Sequence, residues 1–168
     1  MKAKLIVEGK EFEIEIVDQE LPKLIVLSKN KTGYERVDAG EDYYYSAEDG
    51  TADCDTDHRN SYDDDTYAFA NYYSDKTVAS NNARADKLMR QLRRFAVEHR
   101  EQKLSWTPCN FKYLIMYKPT SGELTCVAQD VCKVFGVIYF DTQETANLAI
   151  DTFHDELIWY FTEYKDSL

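Results

Sequence analysis

The sequence predicts an α+β protein: an N-terminal β-hairpin followed by two β-β-β-α units, with antiparallel sheets and the helices packed on one face. Three observations predict this fold. Several short segments alternate apolar and polar residues or are rich in aromatic and β-branched residues, with turn residues between them. Two longer segments repeat apolar residues every three or four positions, as helices do. The order of these segments recurs in the second half of the chain.

Residues 1–34 are predicted to form the N-terminal hairpin. Phe12, Ile14 and Ile16 alternate with glutamates, and the glycine before them supplies a turn. This pattern predicts two strands with one solvated face. Residues 18–27 fit two structures, because their start resembles a capped helical turn whereas the apolar run that follows fits a strand.

The first β-β-β-α unit is predicted over residues 35–104. Its strands are expected at residues 41–47, from Thr51 onward and at residues 67–73, and residues 53–65 are expected to form a polar loop. The strand predictions depend on tyrosine-rich runs, because aromatic residues suit a half-buried pleated surface.

A long helix is predicted to complete this unit. It starts at Ser74, a residue type that caps helices well, and it ends before Pro108, which cannot continue a helix. Its apolar residues recur at spacings of three and four, so they form one stripe that faces a core. This stripe consists of Ala85, Leu88, Leu92 and Phe95, with His99 as a further candidate member.

The second β-β-β-α unit is predicted over residues 105–168. Its strands are expected at residues 111–117, 123–128 and 134–140. Asp141, with a glutamate three positions later, has the spacing of a capping box and predicts the start of the final helix.

The two units match in sequence at an offset of 67 residues. Residues 70–74 correspond to residues 137–141, and Ala79 corresponds to Ala146. We interpret this match as an internal repeat. A chance echo stays open as the alternative, because short segments that lead from a strand into a helix look alike in many α+β proteins.

Charge divides the chain into blocks of opposite sign, within a formal net charge of −11. Residues 35–75 carry thirteen acidic and two basic residues, a net of −11. Residues 76–104 carry eight basic and three acidic residues, a net of +5, and residues 141–168 carry seven acidic residues and one basic residue, a net of −6. Two explanations stay open: the blocks neutralise each other, or they form an interaction surface.

The excess of acid argues against a surface that binds phosphate backbones everywhere, and it favours an acidic face that competes with nucleic acid for a basic partner.

Composition excludes several classes of protein. With 43% apolar and 14% aromatic residues, the chain can build a core, which excludes simple disorder. No apolar run approaches the roughly 18 residues of a membrane span, and the charged N-terminal residues do not fit a signal peptide. The cysteines form no C-x-x-C pair, so we expect free thiols in a reducing cytoplasm. They are Cys54, Cys109, Cys126 and Cys132.

No motif in the sequence predicts catalysis. Residues 53–64 match a calcium loop at its first, third and fifth positions, but His58 replaces the glycine at position six and Asp64 replaces the glutamate at position twelve. We therefore expect a solvated acidic loop. The sequence contains no nucleophile motif, zinc spacing or phosphate-binding glycine loop, so no catalytic residue, metal or cofactor is predicted. A metal-dependent hydrolase that uses alternate aspartates of this loop stays open as a minor hypothesis.

Three segments carry a resemblance to known proteins. Residues 31–50 read KTGYERVDAGEDYYYSAEDG, residues 63–92 read DDDTYAFANYYSDKTVASNNARADKLMRQL, and residues 136–153 read GVIYFDTQETANLAIDTF. They resemble a recurrent class of small proteins from phages and prophages of low-GC Gram-positive bacteria. Such proteins typically have a T-G-Y-E-R-V segment, a Y-Y-Y strand, an acidic loop, a G-N-Y-F strand and a helix. This sequence departs from that pattern at Ala70, where glycine is usual, and at Val78, where an acidic residue is usual.

The resemblance implies a protein that disarms bacterial defence inside the host cell, as anti-CRISPR proteins do. The acidic block suggests the mechanism, because carboxylates on alternate strand positions approximate a row of phosphates and tyrosines supply contact area. We expect such a surface to occupy the nucleic-acid channel of a host defence protein, specifically a Cas9-type effector with or without its guide RNA. The predicted partner-binding residues are Asp53, Asp55, Asp57, Asp63, Asp64, Asp65, Tyr43 and Tyr45.

A single-stranded nucleic-acid-binding protein is the alternative hypothesis. The basic helix over residues 84–103 carries cationic side chains that could bind phosphates, and nearby aromatic residues could stack on bases. A solvated helix face explains the same pattern without any function. The residues predicted for this alternative are Arg84, Lys87, Arg90 and Arg94.

Overall fold

The structure, a computed structural model, describes residues 2–7, 10–15, 31–130 and 132–164, with the backbone alone in the first two ranges. It is an α+β structure, as the sequence predicts. The strands are β1 (Lys2–Val7), β2 (Lys10–Glu15), β3 (Asp42–Ser46), β4 (Ala52–Thr56), β5 (Lys112–Lys118) and β6 (Glu123–Gln129). The helices are α1 (Ser61–Ala68), α2 (Lys76–Glu98), α3 (Gln143–Thr152) and α4 (His154–Trp159), which a π-helical turn (Tyr160–Tyr164) extends.

Consecutive strands pair in three antiparallel hairpins: β1 with β2, β3 with β4, and β5 with β6. In the N-terminal hairpin Leu5 pairs with Phe12, so the prediction of this hairpin is confirmed. The first two strands predicted for each later unit are confirmed as well. The segment at residues 18–27, for which two structures were open, lies outside the described residues.

The predicted third strand of the first unit is wrong. Helix α1 covers the end of the predicted polar loop and the start of the predicted strand at residues 67–73. It begins with a full capping box, in which the Asn60 side chain accepts the Asp63 N–H at 3.1 Å and the Asp63 side chain accepts the Asn60 N–H at 3.1 Å. Of the predicted strand, only Tyr73 pairs with β3, through a single bridge to Tyr44.

The predicted third strand of the second unit is also reduced to one bridge. Phe140 exchanges two backbone hydrogen bonds with Tyr113, at 2.9 and 2.8 Å, and its upstream neighbours form no strand. Gly136, in the middle of this segment, has a φ of +75°, which turns the backbone out of an extended path. Each of the two later hairpins is therefore bridged, through one residue, to the segment that leads into a helix: β3–β4 to the segment before α2, and β5–β6 to the segment before α3.

Each long helix begins one residue later than the sequence predicts. Asp75 caps α2 by accepting the Thr77 N–H at 2.7 Å, and Thr142 caps α3. The predicted caps have other partners. Ser74 Oγ donates to Glu35 at 3.2 Å, and the buried Asp141 accepts the backbone N–H groups of the segment that follows α2, at 2.7 and 3.0 Å.

The core confirms the first four residues of the predicted helix stripe, whereas His99 is exposed at the C-cap of α2. Ala85, Leu88, Leu92 and Phe95 of α2 are all buried. Three of them pack in one cluster with residues from α3, α4 and the second bridge. The members of this cluster are Leu88, Leu92, Phe95, Ala96, Phe140, Ala146, Ala149 and Leu157. Helix α3 also contacts β5 and β6, so the second hairpin closes the core.

We expect Leu88→Ala to destabilise the protein by about 2–5 kcal/mol, because it opens a cavity in this packed cluster. Leu88 is 1% exposed, whereas Val97 on the opposite side of α2 is 63% exposed. Val97→Ala is the matched control, and its effect should stay within roughly 0.5 kcal/mol. Urea unfolding of both variants measures the difference, and equal midpoints would contradict this core assignment.

Candidate functional site

Helices α1 and α2 pack against opposite faces of the β3–β4 hairpin. On one face, the Tyr43 hydroxyl donates to Asp63 of α1 at 3.3 Å, and the Tyr43 ring stacks on Tyr72 at 4.1 Å. On the other face, the Tyr73 ring contacts Tyr34, whose hydroxyl accepts from Asn82 of α2 at 2.9 Å. The prediction that helices pack on one face is therefore wrong for this hairpin, because the acidic helix and the basic helix enclose it.

A buried carboxylate at Asp57 positions α1. The Arg36 guanidinium bonds both Asp57 oxygens, at 2.9 and 3.3 Å, and the Tyr72 hydroxyl donates to Asp57 at 2.9 Å. The Arg59 N–H adds a bond of 2.8 Å from the turn that leads into α1. The hydrogen bonds from Arg36 hold the pKa of Asp57 well below its usual range. Burial and the bond to Asp57 raise the pKa of Tyr72 to about 12.

Three of the predicted partner-binding residues do not reach the surface. Asp57, Asp63 and Tyr43 are each at most 1% exposed. Asp57 binds Arg36, and Asp63 accepts the His58 N–H at 2.8 Å as well as its capping bond. Burial raises the pKa of Tyr43, as expected for a phenol held in the interior. These residues support the surface from below and are not part of the exposed surface in this structure.

Four of the predicted residues are exposed carboxylates, and they define the acidic surface: Asp53, Asp55, Asp64 and Asp65. Asp53 pairs with Tyr45, and Asp55 pairs with Tyr43. Because residues directly opposite each other share a face, both aspartates lie on the face that α1 covers. Burial, followed by the nearby charge of Asp53, raises the pKa of the half-buried Tyr45.

The remaining two members lie on α1 itself. Asp64 forms an ion pair with Arg36, with 2.7 Å between Oδ1 and Nη1, which offsets part of its charge. The acidic surface therefore combines a strand and a helix that the buried Asp57 network holds together.

Sequence reasoning missed three exposed aromatic residues beside the acidic surface. Tyr62 is 55% exposed, Tyr67 is 43% exposed and Phe69 is 80% exposed. Tyr62, Asp65 and Phe69 are spaced three and four positions apart along the α1 segment, so these three lie along one side. Tyr67 lies toward Tyr72 and Arg36 instead. The signal in the sequence was the Asn60-x-x-Asp63 spacing, which predicts a helix start where a loop was expected.

The basic helix α2 is partly neutralised by other parts of the chain. Arg84 binds Glu156 of α4 at 2.8 and 3.1 Å and lies 3.9 Å from the centre of the Trp159 ring. Arg94 and Glu98 form an i,i+4 pair at 3.7 Å.

Lys87 lies against the turn of the β3–β4 hairpin. A Cβ atom at Gly50 would lie 2.6 Å from Lys87 Cδ, so the lysine stem packs tightly there. Hydrogen bonds from Thr51 lower the pKa of Asp49 in this turn, and the Lys87 charge lowers it further. Of the four basic residues predicted for nucleic-acid binding, Arg84 is half-buried, whereas Lys87, Arg90 and Arg94 are exposed.

No set of three histidine, cysteine or carboxylate side chains within the described ranges is placed to hold a metal ion. The segment that resembles a calcium loop is divided between β4 and α1, so it does not form a loop. All four cysteines are free thiols. Among the described helices, none combines the length and the apolar character that crossing a membrane requires.

No protein-family model, curated protein or solved structure matches this chain. The resemblance to small phage and prophage proteins therefore stays a prediction.

The Asp57 network predicts acid sensitivity. Because the folded-state pKa of Asp57 lies below its ordinary value of 3.8, the unfolded chain binds more protons just below that pH. Its contribution to stability is present at neutral pH and is lost as the pH falls through the folded-state pKa. Asp57→Asn should lower stability at neutral pH and flatten this acid dependence.

Urea midpoints at neutral pH and at several values below pH 3.8 measure both effects. Asp53→Asn removes one exposed carboxylate of the same hairpin and serves as the control. If both variants lowered the urea midpoint equally at neutral pH, Asp57 would not hold the hairpin and α1 together.

Proposed function

We propose that this chain is a phage-encoded, non-enzymatic inhibitor that binds a host nucleic-acid-handling protein and occupies its basic channel through the acidic surface. One observation supports this function most. Four exposed carboxylates lie around one face of a hairpin and on the helix that covers it, beside three exposed aromatic rings. Opposite charge steers a basic partner to such a surface, and aromatic side chains contribute contact energy once it docks.

The arrangement of the carboxylates fits a channel that normally binds a nucleic-acid backbone. Asp53 and Asp55 occupy alternate positions of β4, which places them about 6–7 Å apart along the strand. Asp65 on α1 adds a charge beside this row. A binding channel lined by lysine and arginine is selected for regularly spaced negative charges, so it accommodates such a row.

The specific target that we propose is a Cas9-type effector, with or without its guide RNA, in the cytoplasm of the bacterial host. The sequence resemblance to small phage proteins supports this choice. Such effectors hold an RNA–DNA heteroduplex in a positively charged channel through its backbone. A protein with an acidic surface competes for that channel without any chemical reaction.

We also infer that the two halves of the chain are related as repeats. In each half a hairpin is bridged to a residue two positions before a helix cap: Tyr73 before Asp75, and Phe140 before Thr142. The helix residues Ala79 and Ala146, matched at the same offset, are both fully buried. These correspondences support β-β-β-α units in which the third strand is reduced to one bridged residue.

Reversing the charge of the acidic surface should weaken inhibition. In the triple variant Asp53→Lys, Asp55→Lys and Asp65→Lys, we expect the affinity for the effector to fall on the order of tenfold or more, because attraction becomes repulsion. The measurements are Kd for the purified effector, with and without guide RNA, and target-DNA cleavage at increasing inhibitor concentration.

The matched control is the triple variant Glu144→Lys, Asp151→Lys and Asp155→Lys, which changes the charge equally at exposed positions elsewhere. It should inhibit like the wild type. Equal inhibition by both triple variants would exclude the acidic mechanism. A pull-down from host lysate that recovers no nucleic-acid-handling protein would exclude the proposed class of target.

The nucleic-acid-binding alternative has its own test. A mobility shift of single-stranded DNA at low salt that disappears in Arg90→Glu with Arg94→Glu would favour that alternative over inhibition by the acidic surface.

The exposed aromatic residues should contribute to the same interface. Phe69→Ala is expected to weaken binding by about 2 kcal/mol, since exposed aromatic anchors often dominate interface energy. Phe135 is fully exposed on a turn of the second unit, so Phe135→Ala is the control. Calorimetric titration with the effector measures both variants. An unchanged Kd for Phe69→Ala would remove this end of α1 from the contact.

A further inference from the structure

The outer edge of β6 is unpaired within the described part of the chain. Strand β6 belongs to a two-stranded sheet, and its only strand partner there is β5. An open edge exposes backbone donors and acceptors that can pair with another strand. Residues 124–129 of β6 carry no charge, so nothing in their side chains repels an incoming strand.

The bridge at Tyr113 determines which backbone groups of β6 face outward. Tyr113 uses its N–H and its C=O to bond Phe140, so these groups point away from β6. Its cross-strand neighbour Ala128 is therefore in a non-hydrogen-bonded pair, and the N–H and C=O of Ala128 point to the open edge. By alternation, Leu124 and Cys126 present theirs in the same direction.

We propose that β6 pairs antiparallel with β6 of a second copy of this chain, which forms a symmetric dimer with a continuous four-stranded sheet. A two-fold axis at Cys126 brings Cys126 opposite its own counterpart and Leu124 opposite Ala128 of the other copy. All three outward-facing residues then meet outward-facing residues, so the hydrogen bonds of the new ladder are complete.

Charge permits a second copy at β6 and disfavours one at β4, the equivalent strand of the first unit. The same two-fold pairing of β4 about Cys54 would place Asp53 directly opposite Asp55 of the second copy, twice, and like charges in that position repel. At β6 the equivalent pair is Thr125 with Val127, two uncharged β-branched residues that pack well across strands.

The exposed apolar side chains of both strands also favour the dimer. Met116 and Val127 are 43% and 37% exposed, and Met116 pairs with Thr125 within one copy. In the dimer, Val127 of one copy lies opposite Thr125 of the second copy. Within the second copy, Thr125 in turn lies opposite Met116. The exposed apolar residues of two hairpins thus become one stripe across the axis, which removes apolar area from water.

Sedimentation over a dilution series tests the proposal on the full chain. The wild type should approach twice the 19.6 kDa mass of one chain at high concentration. Thr125→Asp with Val127→Asp recreates the repulsion of β4 and should yield monomers. Val97→Asp with Phe135→Asp adds the same charge at exposed positions outside β5 and β6 and should leave the dimer largely intact. A monomeric wild type, or a dimer that survives the edge substitutions, would overturn the proposal.

Cross-linking tests the register in case the charged variant fails to fold. With Cys54, Cys109, Cys126 and Cys132 changed to serine, the double variant Thr125→Cys with Val127→Cys should form a covalent dimer on oxidation. Opposed Cα atoms in a non-hydrogen-bonded pair lie about 4.5 Å apart, within reach of a disulfide. Neither single variant should cross-link, because each new cysteine faces a different residue. Cross-linking of the single variants, or none in the double variant, would contradict the register.

Discussion

The buried carboxylate of Asp57 joins three segments that are distant in sequence. It binds Arg36 from the segment before β3, Tyr72 from the segment before α2, and the backbone of Arg59 in the turn before α1. A buried charge is tolerated only when it is paired and hydrogen-bonded, so these partners must assemble together. The position of α1 against the hairpin, and with it the acidic surface, depends on this cluster.

The two later hairpins follow one plan and end in different edges. In each, a bridge to the residue two positions before the helix cap determines which backbone groups point outward. Strand β4 protects its outer edge with exposed aspartates, whereas β6 carries uncharged residues. The same backbone plan thus supports an acidic surface in one half and a strand edge suited to pairing in the other.

The fold could be predicted from the sequence where the signal is local. Hairpins appear in the alternation of apolar and polar residues, and the α2 stripe appears in spacings of three and four. The prediction failed at residues 61–73, where a capping box outweighed the β-propensity of an aromatic run. It also failed at residues 134–140, where a single bridge replaced a strand. In both places competing local signals differ by little, and tertiary contacts decide between them.

The sequence by itself determined the pattern of charge: an acidic block, a basic helix and an acidic end. Only the tertiary structure decided which acids are available to a partner. Asp55 and Asp57 are two residues apart, yet Asp55 is exposed and Asp57 is buried against an arginine 21 residues away. The reason is that burial depends on contacts between distant segments, whereas net charge depends on composition alone. Helices α1 and α2 show the same dependence. Their opposite charges lie on opposite faces of one hairpin because both helices pack against it.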